Sequence, residues 1–110
     1  MASIKFKSDK YKKSRGGYSR LLDIQCGKCG RHLLLYQKDG PGILKRMYLD
    51  RIFESDKYSG LENSSLKSIP QLICSECKTI IGIPFIYEKE NRLAFRLFVG
   101  GIVKRIVKSR

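Results

Sequence analysis

Apolar residues along this chain come in short clusters separated by polar or glycine-rich breaks, a spacing that suits strands more often than long helices. Residues 1–20 are mostly polar, with Phe6, Tyr11 and Tyr18 spaced among cations and Gly16-Gly17 near the end. From Leu21 the character changes. Leu21-Leu22-Asp23-Ile24-Gln25 and Leu33-Leu34-Leu35-Tyr36 flank a glycine-containing turn, which predicts a hairpin. Lys38-Asp39-Gly40-Pro41-Gly42 is a strong breaker. Beyond it, Ile43, Leu44, Met47, Tyr48 and Ile52 fall on one helical face, so a short helix is the preferred reading and a strand the alternative. Residues 55–70 read as a connecting loop. A second hairpin is predicted from Gln71 to Phe98, with Glu88-Lys89-Glu90-Asn91 as a polar turn and Pro84 marking an edge or a bulge. Ile102, Val103, Ile106 and Val107 suit either a short helix or a strand. The expected fold is mainly β (α+β): antiparallel hairpins with one or two short helices. It divides into a basic flexible arm over 1–20, a domain over 21–98 and a basic C-terminal segment over 99–110.

Composition supports a folded body. Leu, Ile, Val and Phe make up 32 of the 110 residues, enough for a core. No apolar stretch approaches the roughly 18 residues of a membrane span, and the first residues lack the apolar run of a signal peptide, so the expected location is the cytoplasm. Charge changes the picture more. Lys and Arg number 23 against 10 Asp and Glu, a net charge of +13. Residues 1–20 carry +6 and residues 99–110 carry +4, leaving only +3 for the 78 residues between them. Such an excess favours polyanions, because contacts to phosphates release condensed counterions.

The most specific chemistry lies in two Cys-x-x-Cys pairs, Cys26/Cys29 and Cys74/Cys77. A two-residue gap lets both sulfurs of one turn face the same ion, and four soft thiolates at tetrahedral corners are a zinc set. One Zn2+ held this way is structural, since no coordination position stays open for water. Lys28, Arg31 and Lys78 would help neutralise the thiolates. Three alternatives use the same residues: paired disulfides, which a reducing compartment disfavours; a thioredoxin-like redox motif, which normally leads into a helix rather than into an apolar strand; and an iron–sulfur centre, which takes the same ligands.

Cys-Gly-Lys-Cys-Gly and Cys-Ser-Glu-Cys-Lys, each flanked by strand-like residues, resemble the two knuckles of the zinc-ribbon group. That resemblance implies a zinc-ribbon-like arrangement of the hairpins around one ion. The 44 residues between Cys29 and Cys74 exceed the spacer of compact ribbons and are closer to that of Mss4-like β-tent folds. The R-type methionine sulfoxide reductases have a similar zinc frame. They also need a separate catalytic cysteine, and all four cysteines here are already used, so the resemblance does not extend to that activity.

No catalytic set emerges from the remaining residues. His32, the only histidine, reads as an edge-strand residue; Glu88 and Glu90 decorate a turn; Gly40-Pro41-Gly42 lacks the Lys-Ser/Thr ending of a phosphate loop; Tyr48, Tyr58 and Tyr87 have no companion base. The expectation is therefore a non-enzymatic, zinc-stabilised nucleic-acid-binding protein without a membrane partner. RNA or a ribonucleoprotein is preferred over DNA because no recognition-helix motif is present. Phosphates would be contacted by Lys10, Lys12, Lys13 and Arg15 from one arm and by Lys104, Arg105 and Lys108 from the other. The rival is a protein-interaction adaptor presenting Ile80–Tyr87 to a protein partner, and a redox or repair enzyme stands third.

Overall fold

The computed structural model describes residues 6–55 and 57–107. Two four-stranded antiparallel sheets share one core. The first contains β1 (Ser19–Cys26), β2 (His32–Asp39), β4 (Ile52–Phe53) and β8 (Ile102–Ile106), in the order β4-β2-β1-β8. The second contains β3 (Arg46–Tyr48), β5 (Leu72–Ile73), β6 (Ile80–Tyr87) and β7 (Arg92–Leu97), in the order β3-β7-β6-β5. Alternation decides which side chains meet. Leu22 pairs with Tyr36 and Ile24 with Leu34, and all four join Met47, Leu72, Ile81 and Phe95 from the second sheet in one buried cluster.

The two predicted hairpins and the 88–91 turn are present. The helix preferred over 43–52 is not. Its residues form β3, a 3-10 turn over Leu49–Arg51, and β4, so the chain here leaves the second sheet and enters the first. Met47, Tyr48, Leu49 and Ile52 are all buried, because two strands in different sheets, joined by a tight turn, bring apolar side chains to a common core at irregular spacing. Of the two readings offered for the C-terminal apolar residues, the strand is the one formed: Ile102 pairs with Cys26 and Ile106 with Leu22, which makes β8 an edge of the first sheet. Pro84 lies in β6 opposite Phe95; β5 pairs with β6 only at Ile80 and Gly82, so the outer side of β6 has no strand neighbour at Pro84 among the described residues.

Residues 6–20, the described part of the expected flexible arm, make specific contacts with the body. A short helix, α1 (Lys10–Ser14), is capped by Asp9, whose side chain accepts from the N–H groups of Tyr11 and Lys12. The same carboxylate binds Arg51 at 2.7 Å. Arg51 is 1% exposed in its side chain and also holds buried Asp39 at 3.0 Å. Lys7 and Gln37 exchange two hydrogen bonds, backbone N–H to side-chain oxygen and side-chain amide to backbone oxygen. Further along, the Arg92 guanidinium lies 4.0 Å from the Tyr11 ring centroid and 3.7 Å from that of Tyr48, while Arg15 pairs with Glu90 at 2.7 Å. These anchors are polar and aromatic, so apolar content is no measure of them.

Candidate metal centre and the placement of the basic residues

Each sheet contributes one knuckle, and both have the same backbone. In the first, the Cys26 N–H donates to the Arg31 carbonyl and the Gly30 N–H to the Cys26 carbonyl. In the second, the Cys74 N–H donates to the Thr79 carbonyl and the Lys78 N–H to the Cys74 carbonyl. The residue after the second cysteine is left-handed in each, Gly30 at φ 81° and Lys78 at φ 63°. Only the first position has the residue that adopts this conformation without strain. The first knuckle is also braced from outside: the Gly27 N–H donates to Gly101 O at 2.9 Å, and a Cβ on Gly27 would lie 2.1 Å from Gly100 O.

The knuckles bring Cys26, Cys29, Cys74 and Cys77 together with all four sulfurs within 4.8 Å of one another. The short approaches run between knuckles, Cys26 Sγ to Cys77 Sγ at 3.6 Å and Cys29 Sγ to Cys74 Sγ at 3.5 Å. Zinc–sulfur bonds of about 2.3 Å at tetrahedral angles place sulfurs about 3.8 Å apart, so the cluster is close to the size one ion requires. The Lys28 N–H lies 3.4 Å from Cys26 Sγ and donates toward it. The thiols are tuned unequally. The Thr79 hydroxyl, its backbone N–H and neighbouring thiols bring Cys77 down to about 6. Cys29 is bonded by the Arg31 backbone, which lowers it, but burial and the other three sulfurs push it up to about 11. A ready thiolate at neutral pH favours capture of a cation, and Cys29 is exposed enough to admit one. Four cysteines are thus positioned to bind one metal ion.

His32 stands outside this cluster, exposed at the start of β2 and hydrogen-bonded through Nδ1 to the Asp23 carboxylate.

The expected phosphate-contacting residues do not form one group. Lys10 and Lys13 are exposed on α1, and Lys12 stacks over the Phe6 ring. Arg15 is engaged, donating to the Tyr48 hydroxyl at 2.9 Å besides its pair with Glu90. Lys104 and Arg105 project from β8; Lys108 lies outside the described residues. Arg15 and Lys104 both lie near Lys38, a residue that no motif singles out. Partial burial lowers the Lys38 pKa first, and the charges of Arg15, Lys104 and Arg20 lower it further. Arg20 and Lys38 are register partners across β1 and β2, a proximity visible only once the strands are paired.

No family profile, curated protein or solved structure matches the chain. No helix among the described residues is long and apolar enough to cross a membrane.

Proposed function

We propose that this protein is a zinc-stabilised nucleic-acid-binding module without enzymatic activity, with RNA or a ribonucleoprotein as its preferred target. Zinc is the ion of choice because four thiolates in so small a space match one tetrahedral ion and leave no room for a cluster of several irons and sulfides. One knuckle per sheet and a long spacer support an Mss4-like β-tent arrangement over a compact ribbon.

The observation that carries the binding reading is where the acids have gone. Buried Arg51 and Arg92 between them occupy Asp9, Asp39, Asp50 and Glu90, while Glu62 pairs with Lys7 and Glu76 with Arg31. Two buried guanidiniums thus take up four carboxylates, three of them within residues 21–98, and the cations left at the surface are in larger surplus than the composition of that segment implies. A field of that sign selects phosphates. Purification in low salt should yield protein with bound nucleic acid, seen as a raised 260/280 nm absorbance ratio that nuclease or high salt removes. Metal-loaded protein that retains no RNA or DNA in low salt would overturn the reading.

The adaptor alternative rests on β6, where Ile80, Ile83 and Ile86 are exposed along a strand whose outer side β5 covers only at its start. It forecasts a pull-down unaffected by nuclease and lost on Ile83→Lys or Ile86→Lys.

A further inference from the structure

The segment Gly40–Lys45 between β2 and β3 is surrounded by three adjoining cavities of about 290, 800 and 530 Å³. The first shares Lys38 and Pro41 with the third and Lys45 with the second; the second and third share Lys104. Eight cations border this depression of adjoining cavities, among them Arg15, Arg20, Lys38, Lys45, Arg46 and Lys104. The single carboxylate among its described walls, Asp39, is turned inward to Arg51, Ser19 and Gln37. Arg20, Lys38, Lys45, Arg46 and Lys104 have no carboxylate within ion-pair distance among the described residues. Lys38 is held in place by donating to the carbonyls of Gly40 and Pro41 at 3.0 and 3.2 Å, and Arg46 by the Tyr48 hydroxyl at 2.8 Å. The second cavity adds apolar walls. Phe98 is 46% exposed, Ile43 79% and Val99 fully, and all three line this one cavity, a patch rather than scattered single residues.

Unpaired cations around a groove, with an exposed ring beside them, are what a flexible polyanion with flat faces requires. The cations track phosphates, and the ring stacks on a base. A duplex presents its bases only as edges in grooves and cannot use Phe98 this way without unstacking. Resting on the nucleic-acid reading above, we propose that this depression, and not α1, is the binding track, and that its ligand is single-stranded nucleic acid, with Arg20, Lys45 and Lys104 contacting phosphates and Phe98 stacking on a base.

The test uses full-length, metal-loaded protein and a fluorescently labelled oligouridine of about ten nucleotides, within the site size of single-strand binders. A groove variant, Arg20→Gln/Lys45→Gln/Lys104→Gln, is compared with a helix variant, Lys10→Gln/Lys12→Gln/Lys13→Gln, which removes the same charge. The altered groove side chains are exposed, and unchanged metal content and melting temperature confirm that each variant is folded. The groove variant should flatten the dependence of log affinity on log salt by about 2, at about 0.7 per single-strand contact; the helix variant should change it by less than about half as much. Phe98→Ala should weaken oligouridine roughly tenfold and leave a duplex of equal length unaffected. Equal losses from both triple variants, or a duplex bound as tightly as the single strand, overturn the proposal while leaving nucleic-acid binding standing. Wild-type protein that binds neither probe overturns both.

Discussion

Lys78 occupies a position that its counterpart in the other knuckle gives to glycine. A left-handed conformation costs a residue with a Cβ about 1–2 kcal/mol, and glycine gives back about 0.5–1 kcal/mol of that in lost backbone entropy. Lys78→Gly should therefore stabilise the metal-bound protein by about 0.5–1 kcal/mol in urea titrations, whereas Gly30→Ala should destabilise it by about 1 kcal/mol. An equal response to both substitutions would show that the knuckles are not held as the backbone bonds indicate. The four clustered cysteines were legible at single positions because Cys-x-x-Cys carries its geometry in its spacing. Lys78 was not, since nothing in Cys-Ser-Glu-Cys-Lys signals that its last residue must turn left-handed.

Among the elements, α1 and its leading residues depend on one long-range pair. Asp9 caps the helix and reaches Arg51, so Asp9→Ala should cost about 1–2 kcal/mol and expose Lys10, Lys12 and Lys13 to trypsin well before the body is cut. Wild-type chains clipped there at the same rate would show that these contacts do not hold in solution. Asp39 sits deeper. Burial raises its carboxyl, but hydrogen bonds from Ser19, Gln37 and Arg51 and the Arg51 charge outweigh this and hold it below its ordinary value of 3.8; Asp9 is lowered by the same guanidinium. The unfolded chain therefore binds more protons in that range, and this stabilisation is complete above about pH 5 and lost as pH falls through the folded values. Acid titration followed by circular dichroism should show stability falling below pH 4, with a smaller loss in Asp39→Asn, whose baseline is already lower by about 3 kcal/mol. A partner 42 positions away leaves no trace in local pattern, where the arm shows only its polar composition. The 43–52 segment misleads for a related reason: Met47 and Ile52 face one core from two sheets, and that coincidence imitates a helical period.

The two sheets meet through a shared core and through the cysteine cluster, which lies at the Cys26 end of β1. In small domains metal-binding free energy is folding free energy. A strong chelator should lower the melting temperature by well over 10 °C, and re-addition of one equivalent of Zn2+ should restore it; a melting temperature indifferent to chelation would remove the metal from the architecture. The hairpins and the two Cys-x-x-Cys pairs were visible in the sequence because each is local, whereas the assembly of strands into two sheets and the ring of cations around Gly40–Lys45 arise from pairings that cross most of the chain. That topology has a kinetic side. Cys26 finds its strand partner at Ile102 and Gly27 its brace at Gly101, so the first knuckle is completed by residues synthesised among the last described. Closing such long loops is entropically slow and must precede the contacts that reward it. During synthesis Cys26 and Cys29 emerge as an unbraced two-thiol half-site, open to oxidation or to the wrong metal until the later strand docks. Folding should accordingly be rate-limited by this last closure, and free zinc should accelerate it only once Cys74 and Cys77 are present.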